Sequence, residues 1–161
     1  MTTVELMDNL AEFLRPAVAD YRTQQTSGQR EITVYAGFPA ARLNPAEQSS
    51  FIYALVTGAQ DNADYEQSTA TVEIGFSIYD DSSIDDWRNL YNLMEHVRQH
   101  LLKHRLVAKS SRLQLPLKLE VPEGQPAPQW QGKITAVYTI GQPYEEDINY
   151  DDIQETRISK Y

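Results

Sequence analysis

A strand, a long helix and two further strands are predicted between Thr69 and Ile140, and this unit constrains the fold more than any other feature. Its first segment alternates strictly, with one side formed by Ala70, Val72, Ile74, Phe76 and Ile78. Such alternation is typical of a half-buried strand, because successive side chains of a strand point to opposite faces of the sheet. The other side carries threonine, serine and glutamate, so that sheet face is predicted to meet water or another subunit.

The helix of this unit is predicted to begin after Asp81, where Ser82 or Ser83 can cap it and Asp85 or Asp86 lies three positions on. Apolar residues then recur at spacings of three and four, at Trp87, Leu90, Met94, Val97 and Leu101. A stripe with this period forms one face of a helix, and we expect it to lie across the sheet.

Two more alternating segments follow the helix. Their apolar positions are Leu113, Leu115, Leu117, Leu119 and Val121 in the first and Ile134, Ala136, Tyr138 and Ile140 in the second. Pro116 interrupts the first segment, and a proline cannot donate a hydrogen bond to a neighbouring strand. The sequence therefore predicts that this strand lies at a sheet edge or contains a bulge, and that its edge can pair with a neighbouring chain.

An N-terminal helix is predicted from Thr2, because Thr2 and Glu5 match a capping box. Its apolar stripe comprises Met7, Leu10, Leu14, Val18 and Tyr21, and Pro16 is expected to kink or split the helix. Strands are predicted at Glu31 to Tyr35 and Ser50 to Thr57, the latter followed by a polar connector from Gly58 to Glu66.

The order of these elements lacks a strict strand–helix–strand alternation, so we predict an α+β fold. The sheet is expected to be mainly antiparallel or mixed, with the N-terminal helix and the long central helix packed on one face. The 161 residues fit a single domain, predicted at residues 1–143, and residues 144–161 form an acidic C-terminal arm.

Charge and composition favour some classes of protein over others. The net charge is −9 and the basic residues are interpreted as scattered, so tight nucleic-acid binding is not expected. No apolar run approaches the ~20 residues of a membrane span, and no secretory leader is recognisable at the first residues. We therefore expect folding in the cytoplasm and no membrane partner.

Candidate chemistry is sparse. No two glycines lie closer than the eight positions that separate Gly124 from Gly132, and the chain contains no cysteine. The sequence thus offers neither a phosphate-binding loop nor a thiol nucleophile. We predict no catalytic residues and no cofactor.

Three histidines at a spacing of four, His96, His100 and His104, offer one alternative, since imidazoles at i and i+4 can share a metal. Their stripe lacks an acidic third ligand, and Arg98 and Lys103 lie nearby. The histidines are interpreted as a polar flank of the helix, with no metal bound.

Two other groups have a structural interpretation. The aspartates at 80, 81, 85 and 86 are interpreted as helix caps rather than a calcium loop, because helix starts favour negative charge and the glycine of a calcium loop is missing. Trp87 and Trp130 are assigned to the core.

Several segments together resemble one family. They are Ile78 to Asp81 leading into Asn89 to Leu102, then Leu115 to Glu120, then Gln125 to Gly132. In order and pattern, from about Phe51 to Pro143, the chain resembles the tail terminator, or tail completion, proteins of long-tailed bacteriophages and prophages. The resemblance implies a structural subunit without catalytic residues.

The resemblance also implies partners and a location. Such a subunit forms a homo-oligomeric ring, a hexamer, which caps the tail tube, stops its polymerisation and offers a surface to the head connector. DNA passes through the ring without specific binding, and the protein moves from the host cytoplasm to the virion tail. The residues we expect at the subunit or tube interface are Asp61, Asp64, Tyr65, Pro116, Lys118, Tyr144 and Tyr150.

Two alternatives from the sequence stay open. One is another phage head–tail joining or morphogenesis factor. The other is a small metal-binding enzyme that uses His96 and His100.

Overall fold

The computed structural model describes residues 1–23, 30–39, 49–81 and 85–146. It contains two helices and a mixed sheet, which confirms the predicted α+β class. The helices and strands are α1 (Thr3–Val18), β1 (Arg22–Thr23), β2 (Arg30–Ala36), β3 (Ser50–Gln60), β4 (Thr69–Tyr79), α2 (Trp87–Lys103), β5 (Leu106–Val107), β6 (Ser111–Glu120) and β7 (Gln129–Thr139).

The strands lie side by side in the order β1-β2-β3-β4-β7-β6-β5. Only β2 and β3 pair in parallel, and every other described pairing is antiparallel. The central strand β4 pairs with β7 without interruption, from Thr69 opposite Thr139 to Tyr79 opposite Gln129. The sheet is therefore mixed because of a single parallel pair.

Helix α1 begins with the predicted capping box. The Glu5 backbone N–H donates to Thr2 Oγ1 at 3.1 Å, and the Thr2 N–H donates to the Glu5 carboxylate at 2.7 Å. Leu6 rather than Met7 is fully buried. The expectation that Pro16 splits the helix is wrong, because Pro16 lies in the last turn and the helix runs on to Val18.

Strand β4 has the predicted inner face, since its five alternating apolar residues are all buried. In α2, Leu93 is buried together with four of the five predicted stripe residues, but Trp87 is 38% exposed. The assignment of Trp87 to the core is therefore wrong. The helix begins at this residue, and the ring is partly exposed to solvent there. The half-buried Trp130 does pack against the core.

The aspartates before α2 have different surroundings. Asp86 occupies the N-cap position and makes no side-chain capping hydrogen bond there, and its predicted role three positions after a capping Ser83 stays a prediction. Asp80 is fully buried, and its carboxylate accepts a hydrogen bond from the Asn89 side chain. Asp80 thus ties the end of β4 to α2. Ser82 and Ser83 lie outside the described residues.

Strand β6 departs from simple alternation. Its register against β7 shifts between Gln114 and Lys118, around the cis bond before Pro116. Leu113 is buried, whereas Leu115 is 55% exposed. The prediction that Leu115 faces the core is wrong because the bulge changes which side chains point inward.

One apolar core joins the helices and the sheet. Helix α1 contacts β2 and β3, α2 contacts β4, β6 and β7, and the two helices touch each other. The packing of both helices on a single face stays a prediction. In the described ranges, no helix is long and apolar enough to cross a membrane.

Candidate functional site

The sheet face opposite the core residues of β3 carries an apolar groove of about 560 Å³. Phe51, Tyr53 and Leu55 point into it, alternating with Ile52 and Ala54, which are fully buried on the other face. Phe38, Pro39 and Pro122 also line it, and Phe38 is 73% exposed. An exposed apolar groove of this kind is typical of a contact surface for another protein or for a ligand.

Gly75 determines how Tyr53 lies in this groove. A Cβ atom added at Gly75 would sit 2.0 Å from Tyr53 Cζ, so only glycine allows the ring to cover the neighbouring strand. The Tyr53 hydroxyl donates to the Glu73 carboxylate at 2.8 Å. Burial, followed by this hydrogen bond and the charge of Glu73, raises the pKa of Tyr53 to about 12.

Charged side chains extend from Glu73 across the next two strands. Lys133 Nζ lies 3.7 Å from a Glu73 oxygen and 3.6 Å from a Glu120 oxygen, and Lys118 Nζ lies 2.7 Å from Glu120. The Lys118 hydrogen bond lowers the pKa of Glu120. Two acids and two bases balance here, so this row carries no net charge although the chain carries −9.

Strand β6 presents an edge beside this row. Of the described strands, only the two-residue β5 lies beyond it, where β5 pairs with Ser111 and Arg112. The Leu113 N–H donates to the Arg105 carbonyl at 2.8 Å, and no described strand pairs with the outer edge of residues 114–120. Pro116 therefore lies both at an edge and in a bulge, as a proline in this strand predicts.

The β3–β4 hairpin brings several of the expected interface residues together. The Tyr65 ring lies 5.9 Å from the Tyr144 ring, and the two residues are 90% and 73% exposed. Asn62 N–H donates to the Gln142 side-chain oxygen at 2.9 Å, and the Gln142 amide donates back to the Asn62 carbonyl at 2.8 Å. We call this surface, residues 61–67 and 141–146, the tip.

The expected interface residues therefore fall into two places. Asp61, Asp64, Tyr65 and Tyr144 lie at the tip, where Asp61 accepts a hydrogen bond from Ser68 Oγ at 2.5 Å. Pro116 and Lys118 lie on β6, in a different part of the sheet. Tyr150 lies outside the described residues.

The three histidines pack against α1. A ring nitrogen of His96 lies 2.6 Å from the Ala17 carbonyl oxygen, and the His100 ring lies 4.7 Å from Phe13. Burial, followed by the charges of His104 and His96, lowers the pKa of His100. Among the described side chains, no group of three or more His, Cys, Asp or Glu is placed to hold a metal.

A basic surface is a feature that the sequence interpretation missed. The expectation that the basic residues are scattered is wrong, because residues 96–119 contain six of the fourteen Lys and Arg and no Asp or Glu. Four of the six are exposed at the end of α2, in the turn between β5 and β6 and at the start of β6: Lys103, Arg105, Lys109 and Arg112. We call these four residues the basic surface. A count of charged residues in short windows along the sequence would have revealed these residues, whereas the net charge of the whole chain does not.

A scan against protein-family models and a search of curated proteins find no match to this chain. Its function is therefore inferred from the groove, the β6 edge, the tip and the basic surface, together with the resemblance described above.

Proposed function

We propose that this chain is a structural, non-enzymatic subunit of a phage tail. Copies of it form a homo-oligomeric ring, a hexamer, that caps the tail tube, ends tube growth and gives the head connector its attachment surface. The observation that carries the proposal is the outer edge of β6 at residues 114–120, which no described strand pairs.

An extended edge of this kind favours pairing with another chain. Its backbone N–H and C=O groups face outward, and a strand of a second protein can complete their hydrogen bonds. Leu115, 55% exposed beside this edge, adds apolar contact area. Pro116, its bulge and Lys118 protect part of this edge, so the proposal depends on the remaining groups of residues 114–120, which no described strand pairs and which assembly would complete.

The groove face supports the same function. In this proposal both helices cover the core face of the sheet, and the groove is left for a neighbouring protein. The balanced row of Glu73, Lys133, Glu120 and Lys118 lets acidic subunits approach along this face without strong repulsion. Apolar area and neutral charge together suit a protein partner such as the tail tube.

The overall charge fits passage of DNA through the ring. A subunit with a net charge of −9 repels the phosphate backbone, so DNA slides past without specific binding. Assembly takes place in the host cytoplasm, and the mature location is the virion tail.

The test is mass photometry and negative-stain microscopy of the purified chain, alone and with isolated phage tail tubes. We expect ring-shaped particles on tube ends. Leu115→Lys should abolish capping, because it replaces the exposed apolar contact beside the edge by a charge that the contact would have to bury. Val4→Lys is the matched control, since Val4 is 61% exposed on α1. A stable monomer that leaves tubes bare would contradict the proposal.

A further inference from the structure

The basic surface consists of exposed side chains around one end of α2. Lys103 lies in the last turn of α2, Lys109 in the turn between β5 and β6, and Arg112 in the first residues of β6. The ion pairs found among the described residues involve other side chains. The basic surface is thus a local charge of +4 that the described carboxylates do not neutralise.

The tip carries the opposite charge. Its exposed acidic residues are Asp61, Asp64, Glu66, Glu145 and Glu146, and residues 61–67 and 141–146 contain no Lys or Arg. It also carries the exposed rings of Tyr65 and Tyr144, which lie against each other. The tip is therefore a surface of charge −5 that includes two aromatic rings, and tyrosine is enriched at protein interfaces.

The sheet register places the two surfaces at the same end of the molecule. Thr69, next to the tip, pairs with Thr139, and the Arg112 N–H donates to Thr139 Oγ1 at 3.0 Å. The tip extends from β3, β4 and β7, whereas the basic surface lies beyond β7, on α2, on β6 and on the two segments that flank β5. Each copy thus offers opposite charges on two sides of one sheet end.

We propose that the basic surface of one copy docks the acidic tip of the next copy; this inference rests on the proposed function, because it specifies the subunit contact of the ring. The contact is heterologous, joining two different surfaces, and such contacts close into rings when the rotation per subunit allows it. The complementary charges steer the copies together, and Arg or Lys side chains can lie over the Tyr65 and Tyr144 rings.

A second copy suits the basic surface better than a nucleic acid does. The five carboxylates of the tip at the same sheet end repel a polyphosphate and the tip of a second copy alike. A second copy also brings its own basic surface, which can face those carboxylates, and the exposed rings of Tyr65 and Tyr144, over which Arg or Lys side chains can lie, whereas a polyphosphate brings neither. The test must therefore distinguish docking of a second copy from binding of duplex DNA.

Charge reversal tests the contact in the full chain, measured by mass photometry at low and high salt with and without tail tubes. Lys109→Glu/Arg112→Glu and Asp64→Lys/Glu66→Lys should each weaken self-association by on the order of tenfold or more. An equimolar mixture of the two variants should assemble again. The reversed surface of one variant then faces the reversed tip of the other, and their charges are opposite. Asp8→Lys/Glu12→Lys changes two exposed acids of α1 and is the matched control. Wild-type association should weaken as salt rises.

The outcomes separate this inference from the proposed function. Salt-sensitive assembly with recovery in the mixture, but without tube binding, supports the contact and contradicts the tail role. Tube capping that both reversed variants retain supports the tail role and overturns the contact. A wild-type chain that stays monomeric under all conditions, a mixture that fails to assemble, or duplex DNA binding that only Lys109→Glu/Arg112→Glu abolishes would also overturn the contact.

Discussion

Gly75→Ala should destabilise the protein through a single side chain, the ring of Tyr53. The new Cβ would lie 2.0 Å from Tyr53 Cζ and 2.1 Å from Cε1, whereas ordinary contact begins at 3.4 Å. The ring must therefore move by roughly 1.4 Å or more. That movement breaks the hydrogen bond to Glu73 and opens the groove. Overpacking of this kind costs about 1–3 kcal/mol, and the half-buried position of Tyr53 places the value near the middle of that range.

Equilibrium urea unfolding followed by circular dichroism measures this cost, with Gly58→Ala as the control. Gly58 lies in the same β3–β4 pair, and a Cβ atom added there would have no neighbour within 4 Å, so its substitution should cost little or stabilise slightly. In a Tyr53→Ala background the cost of Gly75→Ala should nearly vanish. An equal cost in both backgrounds, or no difference from Gly58→Ala, would refute the packing explanation.

Three further predictions concern α1, the core and the histidines. Thr2→Ala removes the capping oxygen of α1 and should lower the free energy of unfolding by about 1 kcal/mol in urea titrations, with Thr2→Ser as the control. The Tyr138 hydroxyl is buried without a hydrogen-bond partner among the described residues, so Tyr138→Phe should raise that free energy by about 1 kcal/mol, and a lower melting temperature would contradict this. The folded state lowers the pKa of His100 from 6.5, so the unfolded state binds more protons and stability should fall as the pH drops through 6.5 and below. His100→Gln should flatten this dependence in unfolding curves measured across that range, and an unchanged slope would count against it.

Much of the fold followed from periodicity in the sequence. The β4 alternation and the α1 capping box predicted burial and hydrogen bonds that the structure confirms, because both depend on neighbouring residues alone. Leu115 could not be placed in this way, since the bulge at Pro116 depends on how β6 pairs with β7. Trp87 was misplaced for a related reason, because its position depends on where α2 begins.

The candidate surfaces were harder to predict. The groove depends on Tyr53 lying over Gly75, a contact between adjacent strands that sequence spacing does not reveal. Tyr65 and Tyr144 are 79 positions apart in the sequence, and only the pairing of β4 with β7 brings them together. The basic surface could have been predicted from the sequence, because residues 96–119 contain no acidic residue. The net charge of −9 for the whole chain gave no indication of it.

Tube growth in the presence of the chain tests the central proposal most directly. Purified tail-tube protein is polymerised with and without the chain, and tube lengths are measured over time by negative-stain microscopy. A ring-forming cap predicts that tubes stop growing once the chain occupies their ends, and that Leu115→Lys restores growth while Val4→Lys does not. Tubes that lengthen at the same rate with and without the wild-type chain would contradict the proposed function.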